Sequence, residues 1–167
     1  MTRIPGTCAR YLIRDRVLYI FCRGTSKRHD KWYRNLLVRR TRWRGYRVNR
    51  ADWQEALLVL GALWDTSRWD SVEIMGFSRG AGPAAILALQ WPDAYLQLAA
   101  PKRLGCRRLV KHLRGRMKVT AKRFDVIPLL PPWYAGWRCK WYDYMWPWDA
   151  HAESARRAAW WRHEIGG

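Results

Sequence analysis

Ser78 lies in Gly76-Phe77-Ser78-Arg79-Gly80, directly after the apolar run Val72-Glu73-Ile74-Met75 and directly before a helix-like segment, 81–90. Strand, G-x-S-x-G and helix in that order form a nucleophile elbow. The glycines have a steric purpose there. A serine at the apex of so sharp a turn adopts strained backbone angles, and a Cβ on either flank would strike the neighbouring strand or helix. The hydroxyl is thereby presented at the C-terminal edge of a sheet. The next amide, that of Arg79, points from a helix N-terminus at any oxyanion forming beside it.

A serine nucleophile needs a base to take its proton and a carboxylate to orient that base. After Ser78 the acids are Asp93, Asp125, Asp143, Asp149, Glu153 and Glu164, and the histidines are His112, His151 and His163. In α/β-hydrolases the chain order is serine, acid, histidine. His112 precedes every one of these acids except Asp93 and fails that order. His163 falls within a predicted terminal helix, as a solvated residue or one that compensates the helix dipole. Asp125 follows the predicted strand 117–121 after a brief turn, and His151 stands just before the last predicted helix. Asp125 is preferred as the acid, with Asp149 as the alternative and helix capping as its other role. The side chain of Arg79 could grip a phosphate, but a salt bridge or plain solvation is the preferred reading.

The elements that must position these groups are legible as alternating strands and helices. Residues 10–14 and 16–22 read as two strands around a tight turn at Arg14-Asp15-Arg16. The second strand, continuously apolar, is expected to be central and buried on both faces. A polar, basic stretch follows over 26–44, interleaved with Trp32, Tyr33, Leu36, Leu37 and Trp43. Asn49 can cap a helix over 50–64 with Asp52 in its first turn, burying Trp53, Ala56, Leu57, Leu60 and Trp64 along one face. Strand 71–75 feeds the elbow, and the helix after it runs over 79–90 to Trp91-Pro92, with an irregular first turn expected at Pro83. Strands 95–99 and 117–121 flank a basic helix within 102–114. An irregular Trp/Tyr-rich loop runs to Trp148, and a final helix covers 152–163. The pattern predicts an α/β chain, one domain over 1–167, with a mostly parallel central sheet flanked by helices.

The composition sets the bounds. The chain has 167 residues, 49% hydrophobic and 14% aromatic, which is globular and not disordered. No apolar stretch approaches the roughly 18 residues a membrane span needs, and no secretory h-region is present, so cytoplasmic synthesis is expected. Cys8, Cys22, Cys106 and Cys139 lie far apart without C-x-x-C spacing and are read as free buried thiols, and no zinc site is implied. The net charge of +19 with thirteen tryptophans suits anionic lipid, nucleic acid or an acidic surface, or is simply a basic solvated surface.

Three further segments carry a family resemblance. Phe21-Cys22-Arg23-Gly24-Thr25 followed by Trp32-Tyr33-Arg34-Asn35-Leu36 resembles the F-R-G-[ST]…W…N-L segment of the class 3 (fungal-type) lipases. Ala100-Pro101-Lys102-Arg103-Leu104-Gly105 is similar to that family's G-x-P-R-x-G. Phe124-Asp125-Val126-Ile127-Pro128-Leu129-Leu130-Pro131 resembles its D-x-V-P-x-x-P. With the elbow, four segments in the family's order cover about 20–132, and His151 is a looser fifth match. The resemblance implies a minimal α/β-hydrolase fold, with Ser78 as nucleophile, Asp125 as acid and His151 as base. It further implies Thr25 and Arg79 as the oxyanion hole, and a lid-like segment around 26–37. The chain is shorter than most members, its elbow reads G-F-S-R-G-A where the family usually has G-H-S-L-G-G, and Lys102 shifts the usual arginine by one position. None of these departures removes a catalytic group.

The implied activity is hydrolysis of carboxylic esters, of glycerolipid or phospholipid, through an acyl-serine, with no metal or organic cofactor. Trp32, Tyr33, Leu36 and Leu37 among Lys27, Arg28, Lys31 and Arg34 suit a surface pressed onto an anionic membrane, or equally an ordinary cover of the core. Two alternatives stand beside this reading. One is an inactive hydrolase fold that binds nucleic acid or an acidic partner, the less favoured because no nucleic-acid module is recognisable. The other is a small-ester esterase without lipid preference.

Overall fold

The computed structural model describes residues 1–24, 39–64, 69–102, 105–122 and 140–142. The expected lid-like segment 26–37 and final helix 152–163 lie outside the described residues. Strands β1 (Thr2–Arg3), β2 (Ala9–Arg14) and β3 (Val17–Cys22) pair antiparallel in sequence. The β2–β3 turn has positive φ at both central residues, Asp15 (49°) and Arg16 (60°). That is the conformation whose twist matches a two-residue hairpin. Leu18, Ile20 and Cys22 of β3 are fully buried, while Val17 and Tyr19 are only half-buried.

A second hairpin, β4 (Arg40–Trp43) and β5 (Tyr46–Asn49), forms its own two-stranded sheet. Its first strand lies at the end of the polar, basic stretch 26–44, to which the sequence reading assigns no element. Its turn, Arg44-Gly45, again has positive φ at both positions (48° and 80°). Asn49 then caps α1 (Arg50–Ala62), its Oδ1 accepting from the amides of Ala51 at 2.9 Å and Asp52 at 3.3 Å. The expected buried face is rotated. Asp52, Glu55, Ala56 and Val59 face inward, Leu63 follows them beyond the helix end, and Trp64 is 84% exposed. The rotation has a physical cause: both acids find cationic partners, a buried lysine and a half-buried arginine, described below.

Strand β6 (Ser71–Phe77) runs two residues further than expected, up to the serine itself. A single 3-10 turn, Ser78–Gly80, leads into α2 (Ala81–Leu87). This is the irregular start expected here, and Pro83 sits in the first α-helical turn, where its missing amide costs nothing. Strand β7 (Tyr95–Ala99), helix α3 (Arg107–Leu113), strand β8 (Met117–Lys122) and strand β9 (Lys140–Tyr142) complete the described chain. β9 corrects the expectation of an irregular loop to Trp148.

The main sheet has seven strands in the order β1-β2-β3-β6-β7-β8-β9, parallel from β3 onwards. The fold is thus α/β with a mostly parallel central sheet and helices against it, the arrangement of an α/β-hydrolase. Because β3, β6, β7 and β8 lie side by side in chain order, right-handed crossovers carry α1, α2 and α3 over one face. Leu18, Ile20, Val72, Ile74, Leu96 and Leu98 of that face pack with Ala84, Ala85 and Ile86 of α2 and Val59 of α1 in one core. Parallel strands share a direction, so β3, β6, β7 and β8 all deliver the chain to the same sheet edge. No helix among the described residues is long and apolar enough to cross a membrane.

Candidate active site

Ser78 has φ of +53°, in the left-handed region that a residue with a Cβ occupies at a cost of about 1–2 kcal/mol. Two glycines make the turn sterically possible. A Cβ on Gly76 would stand 2.7 Å from Ala81 Cα and 2.8 Å from Ala84 Cβ, so helix α2 could not follow β6 so closely. A Cβ on Gly80 would stand 2.1 Å from the carbonyl oxygen of Cys22, at the end of β3. The chain leaving β3 passes beside the serine: a Cβ on Gly24 would be 2.9 Å from Ser78 Cβ. Ser78 is 7% exposed, buried by these flanks. Arg79 is the second residue of the helical turn that Ser78 opens, so its amide lies in the first turn as the elbow motif requires.

Beneath this turn the structure shows a group of buried ionic residues that sequence reasoning missed. The Lys102 amide donates to the Ser78 carbonyl at 3.3 Å, and Lys102 Nζ donates to Asp52 Oδ1 at 2.9 Å. Arg79 Nη2 donates to Glu55 Oε2 at 2.8 Å, so of the salt bridge or solvation expected for that side chain the structure shows the salt bridge. The other oxygen, Glu55 Oε1, accepts from the Cys8 amide at 2.9 Å and from Cys8 Sγ at 2.6 Å. Asp52 is fully buried, and burial raises its carboxyl above the usual carboxylate range despite the lowering pull of Lys102 and Arg79; Glu55 adds to the rise. Its Oδ2 has no hydrogen-bond partner among the described residues.

The available signal in the sequence was Asp52-x-x-Glu55, two acids one turn apart with Ala56 and Val59 on the same helix face. The sequence reading singles out Asp52 alone, as an acid in the first helical turn. Cys8, Cys22 and Cys106 are free thiols. Burial pushes the Cys22 thiol well up, with Cys8 and Glu55 adding to the shift, which makes it a poor nucleophile. His112 sits on α3 with its ring 5.6 Å from that of Tyr46, turned toward the β4–β5 hairpin. Of the expected site residues, Ser78 and Arg79 are adjacent at the elbow. Thr25, Asp125 and His151 lie outside the described residues.

No protein-family model matches the sequence, and no curated protein matches it. Solved structures do. The chain is similar to the Rhizomucor miehei triacylglyceride lipase, with a TM-score of 0.64 and 20% identity over 84% of this chain and 63% of that one. A propeptide complex of the Rhizomucor miehei lipase gives 0.60 and 21%, over 84% and 54%. A Rhizopus microsporus lipase gives 0.63 and 17%, over 84% and 59%. The chain therefore spans between about half and two thirds of the length of these lipases. The strand order, the left-handed serine and these matches agree: the fold is the α/β-hydrolase fold as the fungal class 3 lipases carry it.

Proposed function

We propose that this chain is a serine carboxylic-ester hydrolase that acts on glycerolipid or phospholipid esters through an acyl-serine. The observation that carries the reading is Ser78 itself, held at φ +53° between β6 and a helical turn whose flanks only glycine can occupy. A structural turn gains nothing from a strained serine, whereas a nucleophile needs this turn to set its hydroxyl at the sheet edge. The similar folds support the reading, since one matched structure is of a triacylglycerol lipase whose catalytic centre is a serine protease triad.

In this mechanism His151 takes the Ser78 proton as Oγ attacks the ester carbonyl carbon. The Thr25 and Arg79 amides stabilise the tetrahedral oxyanion, and the alcohol leaves with the proton from His151 as the carbon–oxygen bond breaks. Water, deprotonated by the same histidine, then attacks the acyl-serine, releasing the acid and regenerating Ser78. Asp125 orients the imidazole and stabilises its cationic form. Two features support the placement of these roles: β8 ends three residues before Asp125 on the edge that carries Ser78, and Gly24, next to Thr25, already abuts the serine.

Hydrolysis of short- and long-chain p-nitrophenyl esters and of anionic phospholipid vesicles, by the wild type and by Ser78→Ala, tests the proposal. Serine-dependent turnover with a preference for vesicles is expected. Serine-dependent turnover of monomeric esters alone would leave an esterase.

One observation favours a second reading. Arg42 and Arg47 are exposed and directly opposite across the β4–β5 hairpin, an unfavourable pairing of like charges. Exposed Arg107, Arg108, Lys111 and Arg114 lie on and just beyond α3, which packs on β5. A polyanion such as nucleic acid would relieve that repulsion. Retention of all function by Ser78→Ala would favour this reading over hydrolysis.

A further inference from the structure

We infer that Asp52 and Glu55 of α1 are positioning residues for the elbow, fixing the three chain segments that surround Ser78 relative to one another. The inference rests on Ser78 being the nucleophile.

The three segments are Arg23 and Gly24 just beyond β3, the elbow and first turns at 79–82, and Lys102 beyond β7. Each is tied to one of the two acids. Asp52 accepts from Lys102 Nζ, and the Lys102 amide donates to the Ser78 carbonyl. Asp52 also bears on the start of α2, since a Cβ on Gly82 would stand 2.2 Å from its Oδ2. Glu55 holds Arg79 with one oxygen and Cys8 with the other. Cys8 is bound to Arg23: its carbonyl accepts from the Arg23 amide at 3.3 Å. Glu55 therefore spans the two walls of the proposed oxyanion hole, the strand end that leads to Thr25 and the residue that supplies the second amide.

Stability alone does not account for this arrangement. Taking an ion pair out of water costs about as much as the pair's attraction returns, and well-packed apolar residues of like volume do as well or better. Here Asp52, Glu55 and Lys102 are all buried, and one oxygen of Asp52 has no partner among the described residues. Geometry is what the pairs supply. Oxyanion donors act only when held within a few tenths of an ångström of the developing charge.

The test is steady-state hydrolysis of p-nitrophenyl butyrate, with thermal unfolding measured on every variant. Wild type against Ser78→Ala comes first, and absence of serine-dependent turnover would end the hydrolase reading and this inference with it. Given such turnover, the double variant Asp52→Leu with Lys102→Met replaces one pair by apolar shape. We expect it to keep its melting temperature while kcat falls about tenfold or more and KM stays within about twofold. Asp52→Asn, which still offers Lys102 an acceptor oxygen, recovers most of that loss. Arg79→Met cuts the other arm near the surface, so folding does not decide the outcome: kcat again falls, and Arg79→Lys partly restores it. Wild-type kcat in a folded double variant, or in Arg79→Met, would overturn the inference. So would a loss confined to KM.

Discussion

Gly80→Ala isolates the steric demand of the elbow from any backbone preference. Gly80 has φ −62° and ψ −13°, ordinary helical angles that alanine prefers over glycine. The objection to alanine is the neighbour: its Cβ would stand 2.1 Å from the Cys22 carbonyl oxygen and 2.5 Å from that of Arg23. These are backbone atoms at the end of a central strand and just beyond it, so the elbow must move away from β3 by about 1 Å to reach ordinary contact. Overpacking of this kind costs about 3 kcal/mol. For a chain of this size that lowers Tm by roughly 10 °C. The same movement pulls Ser78 and the Arg79 amide from the oxyanion position, and a misplacement of about 1 Å costs about 100-fold in turnover. Gly61→Ala is the control. Gly61 lies within α1 with nothing inside 4 Å of a Cβ, so the same substitution raises stability by about 0.5–1 kcal/mol. Thermal unfolding by circular dichroism and ester turnover measure both variants. A Gly80→Ala protein with wild-type Tm and turnover would refute the reasoning, as would equal destabilisation by the two substitutions.

Replacing Ser78 by glycine and by alanine reads the strain at the nucleophile. Both variants lose turnover, but the glycine variant is expected to be at least as stable as the alanine one, reversing the usual order by about 1 kcal/mol in chemical denaturation. Asp52 gives a pH signature. Its folded-state carboxyl lies above the usual 3.8, so the native state binds the proton more tightly than the unfolded chain does. Its contribution to stability is then complete below about pH 4 and lost as pH rises through its own raised value. Asp52→Asn removes this titration while Lys102, Arg79 and Glu55 remain. The stability of wild type minus that of the variant should fall as pH rises above about 4; a flat or rising difference contradicts the assignment. Ile74→Ala leaves a cavity at the centre of the sheet, where Ile74 is fully buried, and should cost about 3 kcal/mol in urea unfolding.

The elbow was legible because its signals are local: an apolar run ending in a serine framed by glycines, then a helix-forming stretch. The β2–β3 hairpin and the Asn49 cap were legible for the same reason. The rotated face of α1 was not. Asp52 and Glu55 look like solvated acids until partners 50 and 24 residues away are brought beneath the elbow, and no periodicity encodes such pairings. The β4–β5 hairpin was hidden by its arginines, which obscure the alternation a strand usually shows, although Arg44-Gly45 marked its turn. β9 is three residues long and is defined by pairing with β8, not by its own composition.

The central claim is that Ser78 is an activated nucleophile, and covalent labelling tests it most directly. The protein would be treated with an alkyl fluorophosphonate and measured by intact-mass and peptide mass spectrometry. The account predicts a single phosphonyl adduct, mapped to Ser78, absent from Ser78→Ala and from heat-unfolded protein. An unlabelled wild type, or an adduct at another residue that persists in Ser78→Ala, would contradict it.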